Sequence, residues 1–419
     1  MLVILVIVLL WLCLSGLIYF IIRNKKVSLS VPQVLVFFAC KIIAGAAYGY
    51  IFKRFYNGDD TWKLNQDGFQ QYKRLLATPG MFFGDFFSAE PVPGGGIFNF
   101  QSNSYIQNLE YAIVGKTVAL FNFISQGNYY INMVLFNFLG FWGCYFLYKL
   151  VAAQFSMAGR RLTAAILFLF PPAVFWLSGL RTEGFLLLFT GVMLYNFSRW
   201  LNEKKTTCLL ISMVCFALAV ILRNGFALAM APALTAWGWT VFYKTGIKKT
   251  FAITYAICLT AIACVGFVWP GLNIFSLIAG RQHDFFLLKG NTRFNLTALE
   301  PTILSFIKVF PESLINTFIR PFPWEAKGLL QWFSAMENML VLLLVICTGL
   351  MYRKQRNIVA NPALVCMLVM AALGNYVLIG YVVPFPGAIV RYKIIPELFL
   401  ITACLAIVQP SRYKERITQ

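Results

Sequence analysis

"MLVILVIVLLWLCLSGLIYFIIRNKK", residues 1–26, opens on an unbroken apolar run and closes on a basic cluster. A secretory leader places its charges ahead of an apolar stretch of about 7–15 residues. Here the run reaches about twenty residues, enough to cross the hydrocarbon core of a bilayer. Arg23, Lys25 and Lys26 follow it. The segment therefore reads as a retained membrane helix with its N-terminus outside.

The same character extends along the chain. Sixty per cent of its 419 residues are hydrophobic, 12% are charged, and the mean hydropathy is +0.73. A soluble domain is nearer ~45–50% apolar and ~25% charged. Because the excess is spread over the full length, the expected fold class is all-α: a polytopic membrane protein forming one membrane-embedded domain, residues 1–419. Apolar windows predict eleven transmembrane helices, at 2–22, 31–52, 129–151, 162–179, 184–200, 207–222, 226–243, 250–269, 333–352, 359–380 and 389–408.

Charge orders these spans. Alternate connections carry Arg23, Lys25 and Lys26; Arg160 and Arg161; Arg199, Lys204 and Lys205; Lys244, Lys248 and Lys249; Arg353, Lys354 and Arg356; then Arg412, Lys414 and Arg416. These 17 basic residues are accompanied by only two acids, Glu203 and Glu415, and the other 13 acids fall elsewhere. The positive-inside rule then places the C-terminus in the cytoplasm. The net charge of +20 is explained by this clustering, and no aromatic-basic nucleic-acid motif accompanies it. Ten cysteines without a CxxC spacing, and the single His283, argue against a disulfide framework or a Cys/His metal centre.

Two outer connections are long, at 53–128 and 270–332. "DGFQQYKRLLATPGMFFGDFF" (67–87) and "SYIQNLEYAIVGKTVALFNFI" (104–124) repeat apolar residues at helical spacing. They are expected to be amphipathic helices in the interface plane, with aromatic faces towards lipid. "PVPGGG" (91–96) separates them as a flexible connector.

The first connection begins "NGDDTWKLNQDG" (57–68) and gathers Asp59, Asp60 and Asp67. In a helix, Lys63 lies four residues from Asp59 and four from Asp67, so a salt-bridged, solvated helix start is one reading. A reaction centre at the membrane surface is the other. "LFPPAVFWLSGLRTEGFLLLF" (169–189 from its first Leu) places Arg181 and Glu183 at an outer tip, after Pro171 and Pro172 bend the helix before it. A third set is basic: Arg281, Lys289 and Arg293, then Arg320, then Arg391 and Lys393 with Tyr392 between them. Such donors suit an anionic headgroup or phosphate, although snorkelling also accounts for any one of them. Lys41 and Glu397 lie inside apolar runs, where charges are costly and default to paired or functional roles.

"GDDTW" (58–62), "FPPAVFWLSGLRTE" (170–183), "RPFPWEA" (320–326) and "RYKIIPELFLI" (391–401) together resemble motifs of the membrane-integral C-type (GT-C) glycosyltransferase superfamily. The likeness is to its protein-mannosyltransferase and aminoarabinose-transferase branch. It implies a polyprenyl-phosphate-linked sugar donor, and a glycan, lipid or protein acceptor on the outer or periplasmic face. It also implies inverting transfer without a cofactor or required metal, in the bacterial inner membrane. Carried onto this chain, the first-connection aspartate is the general base, Asp59 ahead of Asp60. Arg181, Glu183, Lys289, Arg293, Arg320, Arg391, Tyr392 and Lys393 would contact substrate. Trp62 stands where the family commonly has a tyrosine. Two other classes fit an apolar, outward-basic chain: a transporter or flippase of lipid-linked saccharides, and an outer-face polymerase that relies on arginines.

Overall fold

The computed structural model describes residues 1–25, 27–84, 105–268, 273–290, 292–354, 359 and 361–408. The "PVPGGG" connector and the basic residues Lys26, Arg356, Arg412, Lys414 and Arg416 lie outside these. Every regular element among the described residues is helical, and they fall into two compact units. One is Met1–Ala153 with Met157–Asn224, and the other is Gln154–Ser156 with Gly225–Gln419.

The first unit holds α1 (Leu2–Ile22), α2 (Val31–Phe55), α3 (Asp59–Ala77), α4 (Pro79–Gly84), α5 (Tyr105–Ser125), α6 (Tyr129–Ala152), α7 (Met157–Leu169), α8 (Pro171–Trp176), α9 (Thr182–Glu203) and α10 (Thr206–Leu222). Local signals set their ends. Ser30 and Gln33 form a reciprocal capping box that starts α2. Asn128 accepts from the Tyr130 and Ile131 N–H groups to start α6. Helix α6 is buried along most of its length and packs against α2, α7 and α9, so it forms the core of this unit.

The second unit holds α11 (Asn224–Tyr243), α12 (Ile247–Val268), α13 (Ile274–Leu287), α14 (Ile303–Phe318), α15 (Leu329–Lys354), α16 (Pro362–Val382) and α17 (Pro386–Val408), with a 3-10 turn at Pro323–Glu325. Helix α16 packs against α14 and α17, and α17 also packs against α15.

Among the described residues, seven helices are long and apolar enough to cross a membrane: α1, α2, α6, α11, α12, α15 and α16. Their outward surfaces are greasy, as with Leu5, Leu9 and Leu12 on α1, and the chain is an integral membrane protein by this character. The other four expected spans depart from a plain apolar rod for identifiable reasons. The window 162–179 divides into α7 and α8, because Pro171 and Pro172 lack the N–H that would continue the helix. Helix α10 is 17 residues long. Helix α9 carries Glu183, Arg199 and Glu203, and α17 carries Arg391, Lys393 and Glu397.

Of the two amphipathic segments, the first differs from expectation. The buried face of α3, Thr61, Leu64, Asn65, Gly68 and Tyr72, is covered by protein, for α3 packs along α5. Phe69 and Tyr72 join Phe82 and Ala119 in a small core. It is α5 that presents Leu120, Phe123 and Ile124 outward.

Candidate functional site

The turn between α2 and α3 is conformationally unusual. Asn57, Gly58 and Asp59 have φ of 51°, 92° and 45°, three consecutive left-handed residues. Asn, Gly and Asp are the types that adopt this region at least cost, and such strain concentrates at functional positions. The Gly58 N–H wraps back onto the Phe52 carbonyl at 2.9 Å. The turn delivers Asp59 and Asp60 to the first turn of α3.

Trp62 then locks the helix in place. Its indole stacks on Tyr129 at 4.2 Å and 15°, and its N–H donates to the Gly49 carbonyl at 2.9 Å. Thr61 and Tyr129 share a hydroxyl hydrogen bond of 2.8 Å. One turn on, Asn132 donates to both Asn65 and Asn122, and Asn65 donates to the Gly127 carbonyl. This amide network ties α3 to the α5–α6 turn. Register at Asp59 and Asp60 is thus fixed by buried polar contacts on the opposite face.

The partner of both carboxylates is Arg181, which precedes α9 and is buried. One Nη pairs with Asp59 and the other lies 3.5 Å from Asp60. The guanidinium carbon lies 5.9 and 5.7 Å from the centroids of the Tyr48 and Phe52 rings, which stack on each other at 4.2 Å. Gly179 permits this approach: a Cβ there would sit 2.4 Å from the Tyr48 ring. Burial disfavours the charged guanidinium, but Tyr48, Glu183, Asp59 and Asp60 outweigh it and hold the Arg181 pKa above the ordinary arginine value. Lys63 makes no ion pair with Asp59 or Asp67 among the described residues. The i,i+4 pairing expected from spacing has yielded to a buried arginine 122 positions away.

The two aspartates are not equivalent. The Asp59 side chain is 33% exposed and bound to Arg181, whereas that of Asp60 is 61% exposed. The protein mass around Asp60 nevertheless removes part of its hydration. That desolvation, with Asp59 and Glu183 adding to it, pushes its carboxyl pKa up against the pull of Arg181 and Lys63.

The network continues around the start of α9. Glu183 is buried and pairs with Arg223 at 3.2 Å, and Thr182 donates to Glu110 at 3.0 Å. Three carboxylates, Asp59, Asp60 and Glu183, thus pair with two guanidinium groups, and Glu110 is held beside them by Thr182. Beside them Lys53 lies 4.3 Å over the Trp62 ring, and Lys63 is within electrostatic reach of Asp60. Two buried polar atoms, Tyr48 Oη and Arg181 Nε, have no hydrogen-bond partner. Sequence reading missed Tyr48, Lys53, Glu110 and Arg223. Lys53 could have been found, since it ends the helix before the acidic turn. Glu110 and Arg223 join the site only through tertiary packing.

The remaining expected site residues belong to the second unit. Lys289 and Arg293 are exposed, and Arg293 donates to the Phe286 carbonyl at 3.0 Å. Arg320 clamps Glu325 through Nε and Nη2, reaches Asn316 at 3.1 Å, and stacks on Phe294. Its hydrogen bonds hold the Glu325 carboxyl below the usual range. Lys393 is buried, bound to Asn338 and 3.7 Å from Glu397. Arg391 lies over the Tyr392 ring at 5.2 Å. Arg320 and Lys393 therefore have protein partners where headgroup contacts were expected. Compared with models of known protein families, with curated proteins and with solved structures, the chain gives no match.

Proposed function

We propose that the chain is an inverting, integral-membrane glycosyltransferase of GT-C type, using a polyprenyl-phosphate-linked sugar and an acceptor on the outer, periplasmic face. The observation that carries this reading is the pair Asp59–Asp60, held at a membrane helix end by one buried arginine. A general base must be ionised, accessible and within hydrogen-bond reach of the acceptor hydroxyl. Asp60 meets these needs better than Asp59, because Asp59 is more tightly engaged by Arg181 and Asp60 is the more open, with its carboxyl pushed up by desolvation. We therefore assign Asp60 as base and Asp59 with Arg181 as its positioning pair, which reverses the order expected from the sequence.

Charge also divides the site. Its acid-rich centre repels a phosphate and suits the hydroxyl groups of a sugar. Lys53 and Lys63 at the rim supply cations for the phosphate that leaves as the glycosidic bond breaks. A donor whose chain stays in lipid would reach such a rim from the bilayer. In this reading all eleven expected segments lie in the membrane, and the C-terminus is cytoplasmic.

A flippase or transporter is the second reading, favoured by one observation: Lys393 and Glu397 are an ion pair buried within the second unit, as expected of a membrane transport path. The experiment incubates washed membranes with a labelled polyprenyl-phosphate sugar and candidate acceptors, with the chain present, absent, or carrying Asp59→Ala or Asp60→Ala. Chain-dependent transfer that both substitutions abolish is expected. Translocation of the labelled lipid without any transfer would contradict the enzyme and favour the transporter.

A further inference from the structure

Between α8 and α9 the residues from Leu177 to Arg181 are non-helical and buried. In an apolar, membrane-embedded unit such backbone is tolerated only where protein groups satisfy it. Here those groups come from α2 and α6 and converge on Ser178, one short step ahead of Arg181. Asn137 of α6 donates its amide to the Ser178 carbonyl at 2.9 Å, and Lys41 of α2 directs Nζ at the Ser178 hydroxyl, 3.4 Å away. Lys41 is 2% exposed, and Asn137 and Ser178 are fully enclosed.

Two glycines make room for this meeting. At Gly45, one turn beyond Lys41, a Cβ would sit 2.6 Å from the Ser178 carbonyl oxygen and 2.9 Å from Asn137 Nδ2. At Gly140, one turn beyond Asn137, it would meet Lys41 Cε at 3.8 Å, the Leu177 carbonyl oxygen at 3.9 Å and Lys41 Nζ at 4.0 Å. The amine therefore lies beside the carbonyl end of α8, a setting that favours a lysine. Lys41 is about 21 Å along the axis from the end of α2 at Phe55. Among the described residues it pairs with no carboxylate. An ionisable side chain so placed is costly and defaults to a functional role.

We infer that Lys41 and Asn137 are positioning residues: by holding Ser178 they fix the segment that carries Arg181 to Asp59 and Asp60. Asn137 holds the backbone, Lys41 holds the side chain, and the packing of Gly179 on Tyr48 closes the segment towards Arg181. Their effect on transfer rests on the proposed glycosyltransferase activity; their effect on the segment does not.

Hydrogen–deuterium exchange of the purified full chain in lipid nanodiscs, with sugar transfer measured on the same samples, tests this. Lys41→Met and Asn137→Leu should each speed exchange over residues 178–184 and over the first turn of α3 by about tenfold. Helix α16 of the second unit should keep its wild-type rate. Ser178→Ala removes only the hydroxyl, so it remains informative if either larger change prevents folding. It should reproduce Lys41→Met, and combining the two should add nothing. Transfer in these variants should lose about 10- to 100-fold in kcat with KM nearly unchanged. Exchange that stays at the wild-type rate in both segments, or a rise spread equally along α6 and α9, would overturn the inference, as would an unchanged kcat. A wild type without transfer would remove the glycosyltransferase reading, and exchange alone would then decide whether Lys41 and Asn137 hold the segment.

Discussion

Arg181 is the residue on which the first unit's charges converge. Its guanidinium is buried, so its two aspartates act as its compensation more than as surface pairs. Removing both, as Asp59→Asn with Asp60→Asn, leaves a buried cation and should cost on the order of 3 kcal/mol. Asp60→Asn alone leaves the Asp59 pair intact and should cost less than about 1 kcal/mol. Unfolding in detergent would measure both. Asp60 makes a further prediction through pH. A base works only when deprotonated, so transfer should fall as pH falls through the Asp60 pKa. Desolvation has moved that pKa up, so the acid limb should lie above the usual aspartate value of about 4, and in Asp60→Glu it should shift while persisting. A rate profile across acidic pH checks it. At this scale the sequence singled out Asp59, Asp60, Arg181 and Glu183, which the structure brings close together, but not their pairing. Spacing favoured Lys63 for Asp59, and a buried arginine from a distant segment displaced it, because a desolvated partner binds a carboxylate more strongly than an exposed lysine on the same helix.

The elements that aim these groups are the left-handed turn after α2 and the segment between α8 and α9. Gly58→Ala places a side chain at φ 92°, with its Cβ 3.0 Å from that of Trp62, and should destabilise by about 1 kcal/mol. Gly179→Ala drives a methyl to 2.4 Å from the fully buried Tyr48 ring and should cost about 1–3 kcal/mol through overpacking. Gly80→Ala, where nothing lies within 4 Å, is the matched control and should leave the melting temperature nearly unchanged. If Gly179→Ala behaves like Gly80→Ala, the close approach of this segment to Tyr48 is wrong. Helix positions were largely legible, since caps such as Ser30 with Gln33, and stops such as Pro171 with Pro172, are local signals. The covering of α3 by α5 was not, because an amphipathic stripe states that a face must be buried and leaves open whether lipid or protein buries it.

For the whole molecule, composition sufficed for the membrane class, and among the described residues seven helices have the length and apolar character to cross. It did not reveal the division into two compact units. Nor could hydropathy judge α9 and α17, whose ionisable residues are drawn inward by partners such as Arg223 and Asn338. The proposed orientation makes a further prediction. A cysteine at Lys63, introduced after the native cysteines are replaced, should react with an impermeant thiol reagent from the periplasmic side of intact cells, and one at Lys205 only after lysis.

The most direct test of the central claim is the initial rate of sugar transfer by Asp60→Asn, at equal amounts of folded protein in washed membranes. Loss of a general base should lower the rate by about 10²–10⁴-fold while donor binding persists. A rate within about twofold of wild type, too small a change for a lost general base, would contradict the assignment of the acidic turn as the reaction centre.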